Sequence, residues 1–406
     1  MPSSPLARTF PGWLILMGAL TAIGPLSIDL YLPAFPAIAR SLGVMQGEVE
    51  RTMAAYLIGL AAAQIIYGPL ADRYGRKPPL LAGLALYIVA SLGCTLADSI
   101  HGLTLWRTLQ AMGGAAGIVI PRAVIRDHYE TREAARAMSL IMLIMGVAPI
   151  LAPLIGGQLL LLTGWRGIFG FMLTAGVVLM TALLFRMRES LPPARAVPLN
   201  AATIIGNYRA LLGHRGFMAH SLAGGFGMAG MFAYIVGSPR VFIEIYGVDP
   251  QHYGLLFALN AAGLIGGAQV SARLLRRYTP QTLQRRALTA LILTSLAAVL
   301  LTLVGWMTLP ILMVCLIGYM TSQGFVNPNS SALALAEQGR RLGAASALLG
   351  TLQMTCGAVA GLAISVWQAD TPLPLTGVLA FCASLSWLAG WAAPRVMAAH
   401  LPPAQT

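Results

Sequence analysis

Long apolar segments are the feature that most constrains this chain. Segments of about 20 residues with few or no charges recur along the whole sequence, and an α-helix needs about 20 apolar residues to cross the hydrocarbon core of a bilayer. Charged residues make up only 10% of the chain, whereas soluble domains average about 25%. The sequence therefore predicts an all-α membrane protein and excludes a soluble globular domain.

Twelve membrane-spanning helices are predicted, six on each side of a polar segment. The predicted spans are 11–33, 50–70, 78–97, 101–125, 137–161, 165–186, 217–239, 252–274, 286–306, 309–333, 343–367 and 373–394. The polar segment contains Pro192, Pro193 and Pro198, and we interpret it as a linker. The predicted domains are an N-terminal six-helix bundle (1–186), a cytoplasmic linker (187–216) and a C-terminal six-helix bundle (217–406).

The positions of Lys and Arg predict the orientation in the membrane. If the N-terminus is cytoplasmic, 20 of the 26 Lys and Arg residues lie in cytoplasmic segments. The segments on the opposite face hold only Arg40, Arg51, Arg166 and Arg240. Cytoplasmic loops of membrane proteins carry such an excess of cations, so we expect both termini in the cytoplasm. The net charge of +13 is explained by these loops, and we expect no nucleic-acid partner.

A weak internal repeat relates the two halves. The segment "GPLADRYGRK" (68–77) follows the second span, and "GAQVSARLLRRY" (267–278) follows the second span of the second half. Gly68 aligns with Gly267, although Asp72 aligns with a serine. Two related six-helix halves are typical of transporters, in which the substrate binds near the membrane midplane between the halves.

Several stretches resemble signatures of the major facilitator superfamily. The segment 68–77 resembles the loop between the second and third helices of that family, and "WRTLQAMGGAAG" (106–117) resembles the fourth-helix motif of proton-coupled members. "GVAPILAPLIGG" (146–157) resembles the fifth-helix antiporter motif, and "PLSIDLYLPAFPAIA" (25–39) with "RAVIRDHY" (122–129) is similar to Bcr/CflA-type drug exporters. The resemblance covers essentially the whole chain. It implies two pseudo-symmetric six-helix bundles that act as a drug:proton antiporter.

The loop after the second span has chemistry of its own. Gly75 permits a tight reversal of the chain, and Asp72 at a helix C-terminus is unfavourable beside the helix dipole unless it has a partner. We therefore predict a latch that holds one conformation, in which Arg73 and Arg76 pair with Asp127. The alternative is that the loop only anchors the chain through its positive charge. The residues assigned to the latch are Gly68, Asp72, Arg73, Gly75, Arg76 and Asp127.

Asp29 is the one acidic residue that lies well inside a predicted span. A carboxylate at this depth costs roughly 2.5–3.5 kcal/mol on insertion scales, so such residues are usually functional. Burial disfavours the charged form, which would let Asp29 bind and release a proton. Arg107 is predicted at a similar depth and is expected to pair with Asp29, so the two are assigned to proton coupling. The alternatives are an Asp29 exposed at a helix end and a permanent structural ion pair.

The segment that resembles the antiporter motif contains Pro149, Pro153, Gly156 and Gly157. Proline removes a helix hydrogen bond and glycine allows close helix packing, so a bent and tightly packed helix is expected. Ala152 stands where the family motif usually has glycine. Ordinary packing of a membrane helix is the alternative interpretation.

Aromatic and amide side chains within the spans are candidates for a substrate cavity, because such mixtures suit amphipathic ligands. These candidates are Tyr31, Tyr56, Gln64, Arg122, Phe226, Phe232, Tyr234, Asn260, Asn327 and Gln353. Arg122 could instead extend to the membrane surface. Each of the others could instead face lipid or pack against a neighbouring helix.

These observations predict a monomeric proton-coupled antiporter that exports drug-like or amphipathic molecules across the bacterial inner membrane. The sequence has no nucleotide-binding motif, catalytic triad or metal-binding spacing, so neither an enzyme nor a cofactor is expected. The partners predicted are a small-molecule substrate, protons and the lipid bilayer. An exporter of a cellular metabolite on the same fold remains an alternative, as does a membrane sensor that transports nothing.

Overall fold

The computed structural model describes residues 12–129, 131–191 and 201–393. Those residues are almost entirely helical. The helices are α1 (Gly12–Asp29), α2 (Phe35–Leu42), α3 (Gln46–Tyr74), α4 (Lys77–Leu96), α5 (Ile100–His128), α6 (Thr131–Arg186), α7 (Ala201–Leu212), α8 (Arg215–Pro239), α9 (Pro250–Leu274), α10 (Pro280–Leu303), α11 (Leu309–Leu335), α12 (Leu342–Val366) and α13 (Leu373–Ala392). A π-helical turn (Arg240–Ile245) extends α8, and 3₁₀ turns occur at Leu32–Ala34 and Gly339–Arg341.

The helices agree with the predicted spans except at α6, which contains two of them, and at α2 and α7, which lie outside the predicted spans. Eleven stretches of the described residues are long and apolar enough to cross a membrane, and one of these, Leu143–Arg186, has 44 residues. A helix of that length would extend about 66 Å, roughly twice the thickness of a bilayer core. The backbone breaks at Gly164, where φ is +71°, between the predicted spans 137–161 and 165–186. The all-α membrane fold is therefore confirmed.

The internal contacts of the helices define two compact units. The first contains Met1–Leu199, Ile235–Ala262 and Gly361–Thr371. It combines α1–α6 with the end of α8, the π-helical turn, the beginning of α9 and the end of α12. The two segments from the second half of the chain therefore pack with the first six spans near the end at which α3 begins.

The second unit contains Asn200–Tyr234, Gly263–Ala360 and Pro372–Thr406. Residues of the predicted linker form α7, whose Leu211 is fully buried in a core cluster with Phe217, Ala334, Ala345 and Leu348. The linker residues Pro192, Pro193 and Pro198 lie outside the described residues. The predicted domain boundaries stay a prediction.

Candidate functional sites

An ion-pair cluster forms at the turn between α3 and α4. We call it the Arg76 cluster, and it consists of Asp72, Arg76, Lys77, Asp127 and Glu189. The Arg76 guanidinium donates from Nε to Asp127 Oδ2 at 2.8 Å and from Nη1 to Asp72 Oδ1. The Arg76 side chain is only 8% exposed and that of Asp127 18%, so this pair is largely screened from water, whereas the Asp72 side chain is 53% exposed. The cluster thus links the end of α3 to the end of α5.

Glu189 fixes the start of α4 in the same cluster. Its carboxylate accepts the backbone N–H groups of Arg76 at 2.8 Å and Lys77 at 2.9 Å. A Cβ atom at Gly75 would lie 2.6 Å from Glu189 Oε2 and would force this carboxylate to shift, and φ of +91° is a backbone angle that favours glycine. Burial raises the pKa of Glu189, but the N–H groups of Leu191, Arg76 and Lys77 outweigh burial and hold this pKa below its usual value. The hydrogen bonds to Glu189 therefore stabilise the folded protein fully at pH values above the ordinary pKa of this residue. This stabilisation is lost as pH falls through the lowered pKa.

The predicted pairing of Asp127 is correct for Arg76 and wrong for Arg73. Among the described residues, Arg73 lies within ion-pair distance of neither Asp127 nor Asp72. The reason is geometric, because Arg76 follows the turn and occupies the space between both carboxylates. Gly68 has no neighbouring atom within 4 Å of where a Cβ atom would lie, so no close contact requires glycine there.

Arg107 lies on α5 and is completely buried. Its guanidinium carbon is 4.2 Å from the ring centroids of both Tyr31 and Tyr56, a distance at which a cation is attracted to an aromatic face. It also donates to Ser27 O at 3.0 Å and to Gln110 Oε1 at 2.6 Å. Two residues proposed for the substrate cavity, Tyr31 and Tyr56, therefore enclose Arg107 instead of facing an open space.

Asp29 is the last residue of α1 and is only 3% exposed, so the alternative of an exposed helix end is wrong. The predicted ion pair with Arg107 is also wrong. Arg107 reaches the backbone of α1 at Ser27, two residues before Asp29, and its charge is held by aromatic rings and neutral acceptors. Asp29 Oδ1 is buried and has no hydrogen-bond partner among the described residues. Its electrostatic neighbours include the side chains of Tyr56 and Tyr253.

The segment with the antiporter motif makes close helix contacts in the first unit. A Cβ atom at Gly156 would overlap the carbonyl oxygen of Leu30, next to Asp29, and one at Gly157 would lie 3.0 Å from Pro250 O. Ala152 is completely buried. Pro149 and Pro153 lie within α6, where the only non-helical backbone angles are at Gly164. Glycines 156 and 157 thus allow α6 to approach both α1 and the start of α9.

The remaining cavity candidates are scattered through the described residues. Asn327 and Gln353 contact each other in the second unit, where Gln353 Nε2 donates to Asn327 Oδ1 at 3.0 Å. All six of the others are buried or partly buried: Gln64, Arg122, Phe226, Phe232, Tyr234 and Asn260. Their assignment to a substrate cavity stays a prediction.

A second polar cluster was not predicted from the sequence. We call it the Glu50 cluster, and it consists of Gln46, Glu50, Arg240, Glu244, Gln368 and Asp370. Glu50 is completely buried near the start of α3, and its Oε2 accepts from Gln368 Nε2 at 3.0 Å. The only feature of the sequence that could have indicated this cluster is the acidic residue at the first position of the predicted span 50–70. An acid at that position would ordinarily contact water.

Ionisable side chains buried in membrane-length helices are typical of membrane proteins that move ions or polar solutes. Together with the fold, they define a multi-pass membrane protein of the transporter class. The chain belongs to the Major Facilitator Superfamily, whose family model matches residues 17–362.

Bacterial relatives match almost the full length. A Bacillus subtilis protein described as an uncharacterized MFS-type transporter, YdgK, is 36% identical over 92% of this chain and 93% of its own. Multidrug resistance protein D of Escherichia coli is 30% identical over 84% of this chain and 85% of its own. The crystal structure of a D-xylose-proton symporter superposes with a TM-score of 0.71, covering 93% of this chain and 96% of that chain at 12% identity, which shows the shared fold.

Proposed function

We propose that this protein is a proton-coupled antiporter that exports drug-like or amphipathic molecules across the bacterial inner membrane by alternating access. The observation that carries the proposal is Asp29, a buried carboxyl group whose Oδ1 has no hydrogen-bond partner among the described residues. Such a group at membrane depth is suited to proton binding. Similarity to chains named for multidrug resistance over most of the length supports drugs as the substrate class.

We further propose that the Arg76 cluster faces the cytoplasm and the Glu50 cluster the periplasm. The distribution of Lys and Arg supports this orientation, because most of the cations lie on the side of the Arg76 cluster. Both termini are then cytoplasmic. One chain suffices for this mechanism, so we propose a monomer.

The function is tested by expressing the protein in a bacterial strain that lacks its own drug pumps. We expect resistance to a set of amphipathic compounds and none of this resistance with the Asp29→Asn variant at equal membrane abundance. Unchanged susceptibility across a broad panel, together with release of a metabolite into the medium, would instead favour the metabolite exporter.

We predict that Arg76→Gln lowers the rate of drug efflux about tenfold, which corresponds to about 1.4 kcal/mol in the rate-limiting barrier. The variant removes both ion pairs of the Arg76 cluster and leaves Asp72 and Asp127 without their shared cation. The measurement is efflux of a fluorescent substrate from preloaded cells.

The matched control is Arg73→Gln, which removes an equal charge from the same turn but breaks neither ion pair. Its efflux rate should stay within about twofold of the wild-type rate, a difference of roughly 0.4 kcal/mol. Equal loss in both variants would mean that positive charge alone matters, which is the anchoring interpretation of this loop.

A further inference from the structure

The Glu50 cluster joins α3 to two segments from the second half of the chain. Gln368 follows α12, and its Nε2 donates to Glu50 Oε2 at 3.0 Å and to the carbonyl of Ile364 at 3.0 Å. Its Oε1 accepts from Arg240 in the π-helical turn. All of these residues belong to the first unit. One amide side chain therefore connects a buried acid on α3 to a cation on the other half of the sequence.

The helices approach each other closely around this connection. A Cβ atom at Gly47 would lie 2.5 Å from the carbonyl oxygen of Ser365, and Ser365 is only 2% exposed. Glu50 lies one helical turn further along α3 and is completely buried. Its carboxyl group is thus shielded from water by the contact between α3 and the end of α12.

The hydrogen bonds around Glu50 suit a neutral carboxyl group. A buried carboxylate requires an opposite charge or several donors, but Glu50 Oε2 receives the N–H of a neutral amide, and Oε1 has no partner among the described residues. Arg240 is directed to Gln368 and lies 3.5 Å from Asp370, which is fully exposed. Among the described residues Glu50 thus has no direct ion pair that would compensate its charge, and Arg240 acts on it only at longer range.

The other charged groups at this end do not supply that compensation. Glu244 in the π-helical turn adds negative charge near Glu50, and with the Gln46 amide nitrogen facing it, Gln46 donates to Glu244 Oε2 at 2.8 Å. Arg40 on α2 acts on Glu244. A recess of about 500 Å³ lies next to this layer and is lined by residues that include Arg40, Gln46, Arg240, Glu244 and Gln368.

We propose that Glu50 is a second proton-binding carboxyl group of the transport cycle. Its protonation from the periplasm closes the periplasmic end of the protein. This inference rests on the proposed antiport function and orientation. When the end is open, Glu50 is an ionised carboxylate in water. One proton from the periplasmic water binds it as α3 and the end of α12 come together, and the same proton returns to the periplasm on reopening. Glu50 therefore carries no net proton across the membrane, a role that stays with Asp29.

The proposal is tested by cysteine labelling in intact cells with a membrane-impermeant maleimide. Ser365→Cys reports opening, because its side chain is buried when α3 contacts the end of α12. Ser41→Cys is the reference, because Ser41 is exposed in α2 at the same end. Taking the ratio of the two labelling rates cancels the effect of pH on the reaction of the thiols. Cells that express the protein without either introduced cysteine correct for labelling of the four natural cysteines.

We expect the ratio to fall by about tenfold for each unit by which external pH is lowered through the transition, since one proton is bound on closure. Glu50→Gln keeps an acceptor for Gln368 but has no charge, so its ratio should be low at every pH. Glu50→Asp keeps the carboxyl group, and its ratio should still depend on pH. Asp29→Asn should leave the pH dependence of the ratio in place.

A ratio that depends on pH as strongly in Glu50→Gln as in the parent would overturn the proposal, and so would a parent ratio that does not change with pH. Loss of the response in Asp29→Asn and not in Glu50→Gln would assign the titration to Asp29 and overturn it too. The assay requires no drug, so its failure is distinguishable from failure of the proposed export function, which the susceptibility panel measures.

Discussion

Asp29→Asn should abolish drug-induced proton release from the purified protein while leaving drug binding intact. Asparagine has nearly the same volume as aspartate but is permanently neutral, so the variant resembles protonated Asp29 and cannot exchange a proton. Exchange of labelled for unlabelled drug without a pH gradient should survive, because it needs alternating access and no net proton movement. The measurement is the pH change of a weakly buffered detergent solution on addition of drug.

The control for this experiment is Asp98→Asn, which removes an exposed carboxyl group between α4 and α5. Its proton release should equal that of the wild type. Undiminished proton release by Asp29→Asn would assign coupling to another group. Glu50 would then be the first candidate to examine, since it is also a completely buried carboxyl group.

Arg107→Ala is expected to destabilise the protein by about 2–5 kcal/mol, the range for truncating a large buried side chain and leaving its hydrogen-bond acceptors without donors. The guanidinium fills the space between the rings of Tyr31 and Tyr56 and satisfies Ser27 O and Gln110 Oε1. Alanine would leave a cavity between the rings and two buried acceptors without these donors. The measurement is the midpoint of thermal unfolding in detergent.

Two further variants separate charge from shape at this position. Arg107→Lys keeps the charge but cannot form the fork of N–H donors or the flat contact with both rings, so we expect it to remain well below the wild-type stability. Arg107→Met fills much of the volume without charge. If Arg107→Lys were as stable as the wild type, the charge alone would explain the burial of Arg107, and the aromatic contacts would be incidental.

The sequence predicts the helices of this protein well, together with one contact between helix ends. The apolar segments determine where helices lie, and even the break in α6 occurs at Gly164, between two predicted spans. The ion pair of Arg76 with Asp127 follows from the ends of two helices that face the same side of the membrane. Burial of Asp29 was predictable for the same reason, because position along a span determines depth.

Partners inside the bundle were not predictable in this way. Depth alone placed Arg107 level with Asp29, but the rotation of α5 directs the guanidinium to the rings of Tyr31 and Tyr56. Glu50 was missed because its partner Gln368 is 318 residues away in the sequence. An acid at the start of a helix ordinarily lies in water, and only the packing of three distant segments removes it from water here.

The solitary position of Asp29 has a consequence for the energy source of export. With one carboxyl group carrying one proton, exchange of a neutral drug for a proton moves one positive charge into the cell, so the membrane potential contributes about 2.3 kcal/mol per 100 mV. Exchange of a monovalent cationic drug for a proton moves no net charge. Collapsing the potential with a potassium ionophore should therefore slow export of neutral compounds and spare export of cationic ones, which the pH gradient alone would drive.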